Sequence, residues 1–223
     1  VVAELGERFG ASRVHGQAGD VTSLPQVEAL WEGATARFGG VDIWVNNAGI
    51  SHAMQPLWEL PPDEVEGVWQ ANVLGTYYGC RVAMAGMLAQ GQGWIYNVEG
   101  FGSTGRLRWG LGAYGTSKAA VAYFTRALAA EAQETPVRVA SLSPGMVMTD
   151  LVLGELAKDP ERLERSRRIF NIIADRAETV TPWMAEQILS NQRHGARIRW
   201  LTPGRMAWRF LSAPFSRRNV FDD

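Results

Sequence analysis

The sequence predicts an α/β protein built on a parallel sheet, and two observations lead to that fold class. Short apolar, β-branched runs end in Gly, Asn or Pro, and helical patterns several turns long separate them. Parallel neighbours need a connection long enough to return along the sheet, and a helix supplies one. The composition, 46% hydrophobic and 20% charged, is that of a chain that buries a full core.

In the first half of the chain, helices and strands alternate. The predicted elements are a helix over 1–9, a strand over 13–18, an amphipathic helix over 25–38 and a strand over 41–45. Gly10 stops the first helix, and the Gly39-Gly40 pair stops the second, because glycine adopts the left-handed conformation that ends helices.

The second half continues the alternation. The predicted elements are a long helix over 63–90, a strand over 94–98, a helix over 113–133, a strand over 137–142, a looser charged helical region to about 175, a helix over 181–191 and a strand over 196–201. Pro61-Pro62 and the acidic residues after them favour a helix start at that point.

Composition excludes several function classes. The net charge of -1 gives no excess to drive nucleic-acid binding. The single cysteine, Cys80, excludes a disulfide framework, and the three scattered histidines predict no metal site. No run of about 18 apolar residues is present, and VVAELGERF lacks the features of a signal peptide. We therefore expect a soluble, cytoplasmic protein.

Parallel sheets bind ligands at the carboxyl ends of their strands, so the loops there are where chemistry is expected. The loop after the strand over 41–45 reads NNAG, Asn46 to Gly49. The asparagines supply amides and tolerate turn conformations, and Gly49 allows close approach of a ligand. Alone, this tetrapeptide is as consistent with an ordinary strand-to-loop turn as with a ligand-binding loop.

Tyr114 and Lys118 lie in YGTSK at the start of a predicted helix. The i, i+4 spacing puts both side chains on one helical face. An ammonium near a phenol lowers the pKa of the phenol, which would make Tyr114 a usable general acid or base. Alone, Tyr-x-x-x-Lys is more often a solvated helix face.

Taken together, NNAG, Asn72 in ANVLGTY, YGTSK and SPGMVMTD resemble the short-chain dehydrogenase/reductase family from about Gly10 to Leu201. The resemblance implies a doubly wound, Rossmann-like sheet. It also implies that Tyr114 transfers a proton, that Lys118 binds the nicotinamide ribose and that Asn72 holds a relay water. The cofactor is expected to be NADPH, with NADH as the alternative, held by Asp20, Val21, Asn47, Ala48, Gly49, Tyr114, Lys118, Pro144, Gly145, Val147 and Thr149.

The family's catalytic serine has no clear counterpart. Glu99 and Gly100 occupy the positions where the family usually has Ser-Ser, and one extra residue precedes Tyr114. Ser103 is the candidate hydrogen-bond donor to the substrate oxygen, because an inserted residue in a Gly-rich loop could return a hydroxyl to the same point. The alternatives are that no serine serves, or that a protonated Glu99 does.

The family's glycine-rich loop is also missing. Residues 100–105 spell G-x-G-x-x-G, but they run into more loop and do not open a helix, so we reject them as the pyrophosphate site. The family order places two strands between those predicted over 13–18 and 41–45. Their loss would open a parallel edge in mid-sheet. We expect one Rossmann-like domain over 1–223, N-terminally incomplete, that binds nucleotide poorly as written.

Within the family, the chain resembles the chlorophyll b reductase group. Shared features are the acid-Gly-x-Gly-Ser loop, SPGMVMTDL, IFNIIADRAETV and a tail with LTP before aromatic and basic residues. The resemblance implies NADPH-dependent reduction of the 7-formyl group of chlorophyll b or a related tetrapyrrole, with Trp109 as a candidate contact. Another carbonyl substrate, or a catalytically silent binding or scaffold role, is the alternative.

Two surfaces are candidates for contacts with partners. The aromatic and basic segment over 205–223 could lie on a photosynthetic membrane, and a lid or subunit contact is at least as well supported. The helices over 63–90 and 113–133 are expected to form a homo-oligomer, a dimer or a tetramer. The second is apolar on more than one face, as a helix covered by both a sheet and another subunit would be.

Overall fold

The computed structural model describes residues 1–157, 160–216 and 218–221, and its main sheet has four parallel strands. The order across the sheet is β1 (Ile43–Asn46), β2 (Gly93–Val98), β3 (Val137–Ser143) and β6 (Arg197–Arg199). A second, two-stranded parallel sheet joins β4 (Met146–Met148) to β5 (Ala174–Arg176). The predicted α/β class with a parallel sheet is confirmed.

Nine helices are present in the described residues. They are α1 (Val2–Phe9), α2 (Leu24–Phe38), α3 (Pro62–Trp69), α4 (Gly75–Gln90), α5 (Gly112–Glu131), α6 (Asp150–Ala157), α7 (Pro160–Ile173), α8 (Ala177–Ser190) and α9 (Pro203–Ser212). Gly39 ends α2 with a left-handed φ of 84°, as predicted. None of these helices combines the length and the apolar character needed to cross a bilayer.

The core lies on both faces of the main sheet, because side chains alternate along each strand. On one face Ile95 and Val139 pack with buried residues of α4 and α5. On the other face Tyr96 and Ala140 pack against Val180 and other residues of α8. Helices therefore cover the sheet on both sides, which makes the fold doubly wound and Rossmann-like.

The strand predicted over 13–18 is wrong. Ala11–Arg13 forms one 3-10 turn, and residues 14–20 have no regular structure. A strand exists only when a neighbour completes its ladder of hydrogen bonds. The prediction placed two strands between this segment and β1, and none of the described residues forms them, so the segment has no ladder to join.

The helix predicted over 63–90 is interrupted. A π-helical turn, Gln70–Leu74, separates α3 from α4 and contains Asn72. The Asn72 side chain bonds to the loop after β1, and the Thr76 hydroxyl donates to its carbonyl oxygen at 2.7 Å. Such insertions occur often at functional sites, and they leave no mark on hydrophobic periodicity.

The region predicted as loosely helical to about 175 also contains strands. It holds β4, α6, α7 and β5, and the last predicted strand shortens to β6. Strands of three residues are too short to show alternation, so periodicity could not reveal them. β4 and β5 matter because they carry the loop after β3 to one wall of the site.

Candidate active site

A pocket of about 400 Å³ lies at the carboxyl ends of β1, β2 and β3, where parallel sheets bind ligands. Eight of the predicted site residues line it: Asn47, Gly49, Tyr114, Lys118, Pro144, Gly145, Val147 and Thr149. They come from the loops after β1 and β3, from β4 and the residue that follows it, and from α5. The structure therefore brings together residues that lie up to about a hundred positions apart in the sequence, as the motif pattern predicted.

Tyr114 and Lys118 occupy the first two turns of α5 and face this pocket. The Lys118 Nζ donates to the carbonyl oxygen of Val98 at 3.3 Å and lies 6.0 Å from the centroid of the Tyr114 ring. Burial lowers the pKa of Lys118 to about 8 and raises the pKa of Tyr114. The predicted lowering of the Tyr114 pKa is therefore wrong, because burial disfavours the charged phenolate.

His52 holds the start of α5, a role that sequence reasoning missed. Its Nε2 accepts a hydrogen bond from the backbone N–H of Tyr114 at 3.1 Å, and its Nδ1 lies 2.7 Å from the carbonyl oxygen of Ala53. The first contact requires an acceptor, so Nδ1 carries the proton. The ring is buried at 3% exposure and ties the loop after β1 to the residue beside the pocket.

Asn72 lies behind the pocket and is fully buried. Its Oδ1 accepts from the backbone N–H of Ile50 at 2.8 Å, and its Nδ2 donates to the Ile50 carbonyl and the Ser117 hydroxyl, both at 2.9 Å. Both N–H groups of the amide are thus used, one of them in positioning the loop after NNAG, and Oδ1 accepts one bond. A relay water, the role predicted for Asn72, would use the second lone pair of Oδ1 or another atom of the residue, and this role stays a prediction.

Ser103 does not point into the pocket, so the structure contradicts its predicted role. Its hydroxyl donates to the carbonyl oxygen of Lys118 and accepts from the N–H of Gly100, both at 3.1 Å. It lines a different cavity, beside Arg197. The inserted residue closes a tight turn in which the serine caps its own loop instead of reaching the substrate oxygen.

Gly100 lies beside the Tyr114 hydroxyl, at the position where a serine was expected. A Cβ built on Gly100 would lie 2.5 Å from the Tyr114 hydroxyl oxygen and 3.0 Å from Lys118 Cγ. A side chain at this point would therefore have to displace the tip of the Tyr114 side chain.

Glu99, the second candidate to replace the serine, is held in an ion pair. Arg197 of β6 donates to its Oε2 through Nε at 2.7 Å and through a second guanidinium nitrogen. A carboxylate that accepts two guanidinium hydrogen bonds on one oxygen cannot donate through that oxygen. Its buried side chain forms part of the wall between the two cavities.

Three predicted cofactor residues lie outside the pocket lining: Asp20, Val21 and Ala48. Asp20 is exposed and accepts from the backbone N–H of Thr22 at 2.8 Å, a contact that lowers its pKa. Val21 packs at the start of α4, where a Cβ on Gly75 would meet it. Trp109, the candidate pigment contact, is 66% exposed and does not line the pocket.

Most of the pocket wall that sequence reasoning missed is apolar. It consists of Met54, Val98, Phe101, Leu111, Met146, Leu151, Val152 and Phe170, with Ser51 and Arg108 as polar additions. Phe170 comes from α7 and is 3% exposed. Phe170 lies in the IFNIIADRAETV segment, whose motif resemblance gave no position in the fold, and the long-range pairing of β5 with β4 follows α7 directly.

The residues present fit a nicotinamide cofactor. A Cβ on Gly49 would lie 3.0 Å from Asn72 Oδ1 and 3.3 Å from Lys118 Nζ, so the absence of a side chain at Gly49 keeps the space beside the ammonium uncrowded. Gly145 has a φ of 79°, which only glycine adopts easily, and it lines the opposite side. A buried ammonium, amide-bearing loops and a phenol on one pocket can bind a polar ring and deliver a proton.

Comparison with known sequences gives a consistent result. The profile described as short chain dehydrogenase matches residues 1–159. The chlorophyll(ide) b reductase NOL of Arabidopsis thaliana is 35% identical over 210 residues, which cover 90% of this chain and 59% of that protein. The probable chlorophyll(ide) b reductase NYC1 of the same plant is 30% identical over 218 residues, 97% of this chain and 43% of that protein. The chain thus spans about half the length of these curated relatives.

Comparison with solved structures agrees. A 3-ketoacyl-(acyl-carrier-protein) reductase from Brucella melitensis, complexed with NADH, superposes with a TM-score of 0.71 at 27% sequence identity. The match covers 82% of this chain and 75% of that chain. The sheet and its flanking helices are therefore arranged as in a reductase that holds a nicotinamide cofactor.

Proposed function

The chain belongs to the short-chain dehydrogenase family, and from that premise we propose that it reduces a carbonyl group to an alcohol with a nicotinamide cofactor. The observation that carries the proposal is the placement of Tyr114 and Lys118 on one pocket at the carboxyl ends of the strands. Asn72 and His52 hold the surrounding loop and the start of α5 by direct hydrogen bonds.

In this proposal Tyr114 is the general acid. Its neutral phenol, whose pKa burial raises, donates a proton to the substrate oxygen as the carbonyl is reduced. The reduced nicotinamide, when bound, supplies the hydride. The Lys118 ammonium offers donors to cofactor hydroxyls, and its positive charge would favour the phenolate that proton donation leaves behind.

The cofactor is proposed to be NADPH, with NADH as the alternative. Asn47 and Gly49 frame one side of the pocket, and Pro144, Gly145 and Thr149 frame the other. Lys118 lies between these two groups. Asp20 and Val21, outside the pocket, stay candidates for contacts to a more distant part of the cofactor.

The proposed substrate is a large, mostly apolar aldehyde. More specifically, we propose chlorophyll b or a related tetrapyrrole, reduced at its formyl group. Support comes from the relatives named chlorophyll(ide) b reductase and from the apolar wall that includes Phe101, Leu111 and Phe170. A small polar carbonyl would leave that wall wet, whereas a large planar ring would cover it.

The experiment is a decay assay of NADPH absorbance with the full-length protein. Chlorophyllide b is compared with benzaldehyde and with a short aliphatic aldehyde at equal concentration. We expect the highest kcat/KM for the tetrapyrrole, because it buries the most apolar surface. Equal kcat/KM for all three would reject the pigment assignment and leave a general carbonyl reductase.

A catalytically silent binding or scaffold protein is the second candidate. The observation that favours it is that Gly100 replaces the expected serine and that Ser103 is turned away. Calorimetry separates the two functions. Binding of NADPH without oxidation by any aldehyde would support the silent protein, and turnover would exclude it.

We also propose that the protein forms a homo-oligomer through α4 and α5. Tyr77 and Leu88 of α4 and Tyr123 of α5 are exposed, and Tyr77 packs edge-on against Phe124 of α5. The two helices thus present a joint apolar surface. Such a surface is the usual basis of a symmetric interface between identical chains.

A further inference from the structure

The helix α9 has its charged side chains turned inward and its apolar side chains turned outward. Arg209 donates to both carboxylate oxygens of the buried Asp175, at 2.8 and 3.0 Å. Arg205 donates to the Trp200 carbonyl at 3.0 Å, and its guanidinium lies 3.9 Å from the centroid of the Trp200 ring. The polar side of this amphipathic helix is therefore its protein-facing side.

The opposite side of α9 carries large apolar groups in water. Trp208 is 69% exposed, Leu211 is 73% exposed, and Phe215, in the 3-10 turn Ala213–Phe215 that follows, is 90% exposed. Trp208 and Leu211 are three residues apart and so lie on one side of α9, and Phe215 follows in the next turn of the chain. These three side chains are called the outer face. Large exposed apolar groups near one another often mark an interaction surface.

The outer face is held rigidly. The Asp175 carboxylate binds Arg209 of α9, Arg218 beyond the 3-10 turn, and the indole N–H of Trp200, whose Nε1 lies 2.6 Å away. Asp175 is 3% exposed and belongs to β5. Arg209, between Trp208 and Leu211 in the chain, and Arg218, after Phe215, are thus anchored to one buried carboxylate. The face is presented in a fixed orientation, which lowers the entropy lost on binding.

The charge around the outer face selects the kind of partner. The cavity beside Trp208 is lined by Arg168, Arg209 and Arg218, and Asp175 is the one carboxylate among the described residues that line it. Arg168 is exposed, and Arg205 of α9 lies against Trp200 in the same lining. A second copy seated there in a two-fold symmetric contact would set this excess of cations against itself, which costs free energy. An anionic surface meets no such repulsion.

We propose that the outer face docks on an anionic lipid bilayer, with Trp208, Leu211 and Phe215 entering the boundary between headgroups and acyl chains. Helices that lie in this boundary combine an apolar side bearing Trp, Phe and Leu with nearby basic residues. Anionic headgroups attract each such cation by about 1 kcal/mol. The proposal does not depend on the enzymatic activity of the pocket.

The test is co-sedimentation of the full-length protein with vesicles. The vesicles are either pure phosphatidylcholine or an equal mixture of phosphatidylcholine and phosphatidylglycerol. We expect wild type to bind the anionic vesicles at least about 10-fold more tightly than the neutral ones, and Arg168→Gln to lower anionic binding about 5-fold. The variant W208S/L211S/F215S should lose binding by about 10-fold or more, because burial of the three side chains supplies the apolar part.

A matched control removes equally exposed apolar groups elsewhere. Trp58, Leu107 and Leu189 are 83%, 96% and 77% exposed, so W58S/L107S/L189S changes the same types of surface away from α9. It should bind vesicles within about twofold of wild type. Equal losses in both variants, or no binding by wild type, would overturn the proposal. Loss of self-association in the α9 variant, without loss of vesicle binding, would assign the outer face to a second copy instead.

Discussion

Gly100 and Tyr114 form the most crowded point of the proposed active site. Because a Cβ on Gly100 would lie 2.5 Å from the phenol oxygen, Gly100→Ala should push the Tyr114 side chain out of place. A side-chain tip moves easily, so we expect little loss of stability but a fall in kcat of about 10- to 100-fold. Steady-state kinetics with thermal unfolding of the same samples checks both.

Gly115→Ala is the matched control for that substitution. Gly115 is the next residue after Tyr114 in α5, and the nearest atom to an added Cβ there is 3.9 Å away. Alanine should therefore fit and stabilise the helix by about 1 kcal/mol without slowing turnover. If both variants lose activity alike, crowding at the phenol is not the cause.

Lys118 should make stability depend on pH. Its pKa falls by burial from 10.5 to about 8, which corresponds to a cost of ~3 kcal/mol for the charged folded form. Below about pH 8 Lys118 is protonated in both the folded and the unfolded chain, so burial of its charge destabilises the fold in full. Between about pH 8 and 10.5 the unfolded chain binds more protons than the folded chain, so the free energy of unfolding rises with pH.

Lys118→Met removes that cost. Near pH 7 and without cofactor the variant should be more stable than wild type by up to ~3 kcal/mol, and the difference should shrink as pH rises from about 8 to 10. Above 10 the raised pKa of Tyr114 acts in the opposite direction on both proteins. Urea unfolding at several pH values measures this. A stability difference that stays constant with pH would contradict a buried ammonium.

At the scale of elements, the start of α5 depends on a residue 62 positions earlier in the chain. His52 accepts from the N–H of Tyr114, and replacing it by leucine leaves that N–H without its partner. His52→Leu should lower stability by about 1–3 kcal/mol. It should also lower kcat about 10-fold, with cofactor affinity nearly unchanged, since Tyr114 shifts more than Lys118.

His194 provides the comparison. It too is a bridge between elements, with Nδ1 accepting from Val139 at 3.2 Å and Nε2 lying 2.6 Å from the carbonyl oxygen of Ala129. His194→Leu should cost similar stability while the kcat of folded protein stays as in wild type. Calorimetry measures the stability of both variants, and initial rates measure their kcat. Equal kcat in the two variants would show that His52 does not position Tyr114 for catalysis.

The elements that the sequence predicted best are those with long, regular patterns. Helix α2, strand β3 and helix α5 agree with prediction to within two residues at each end. The π-helical turn at Asn72 and the three-residue strands β4 and β5 were not predicted, because they depend on contacts that hydrophobic periodicity does not encode. The strand predicted over 13–18 does not form for a related reason, since a strand needs a neighbouring strand to pair with.

The same distinction holds for the whole site. Tyr114, Lys118, Asn47 and Gly49 could be placed on one pocket from motif order, since the carboxyl ends of parallel strands meet at one edge. The inward turn of Ser103 and the Glu99–Arg197 pair could not be foreseen. They depend on the conformation of a glycine-rich loop and on a strand almost a hundred residues away.

The proposed oligomer is a prediction about the whole molecule. Tyr77→Glu with Tyr123→Glu places charges on the exposed apolar surface of α4 and α5. Charges buried without partners in an interface are costly, so the double variant should be monomeric at micromolar concentration. Light scattering on both proteins tests this. A monomeric wild type, or a variant that keeps the mass of wild type, would refute an interface on these helices.

The central claim is that Tyr114 delivers the proton in a carbonyl reduction, and Tyr114→Phe tests it most directly. The substitution removes one hydroxyl and keeps the ring that packs beside Gly100. We expect NADPH oxidation by the full-length protein to fall by roughly 10²- to 10⁴-fold, with cofactor affinity and melting temperature close to wild type. Turnover within about threefold of wild type would contradict the assignment of Tyr114 as the general acid.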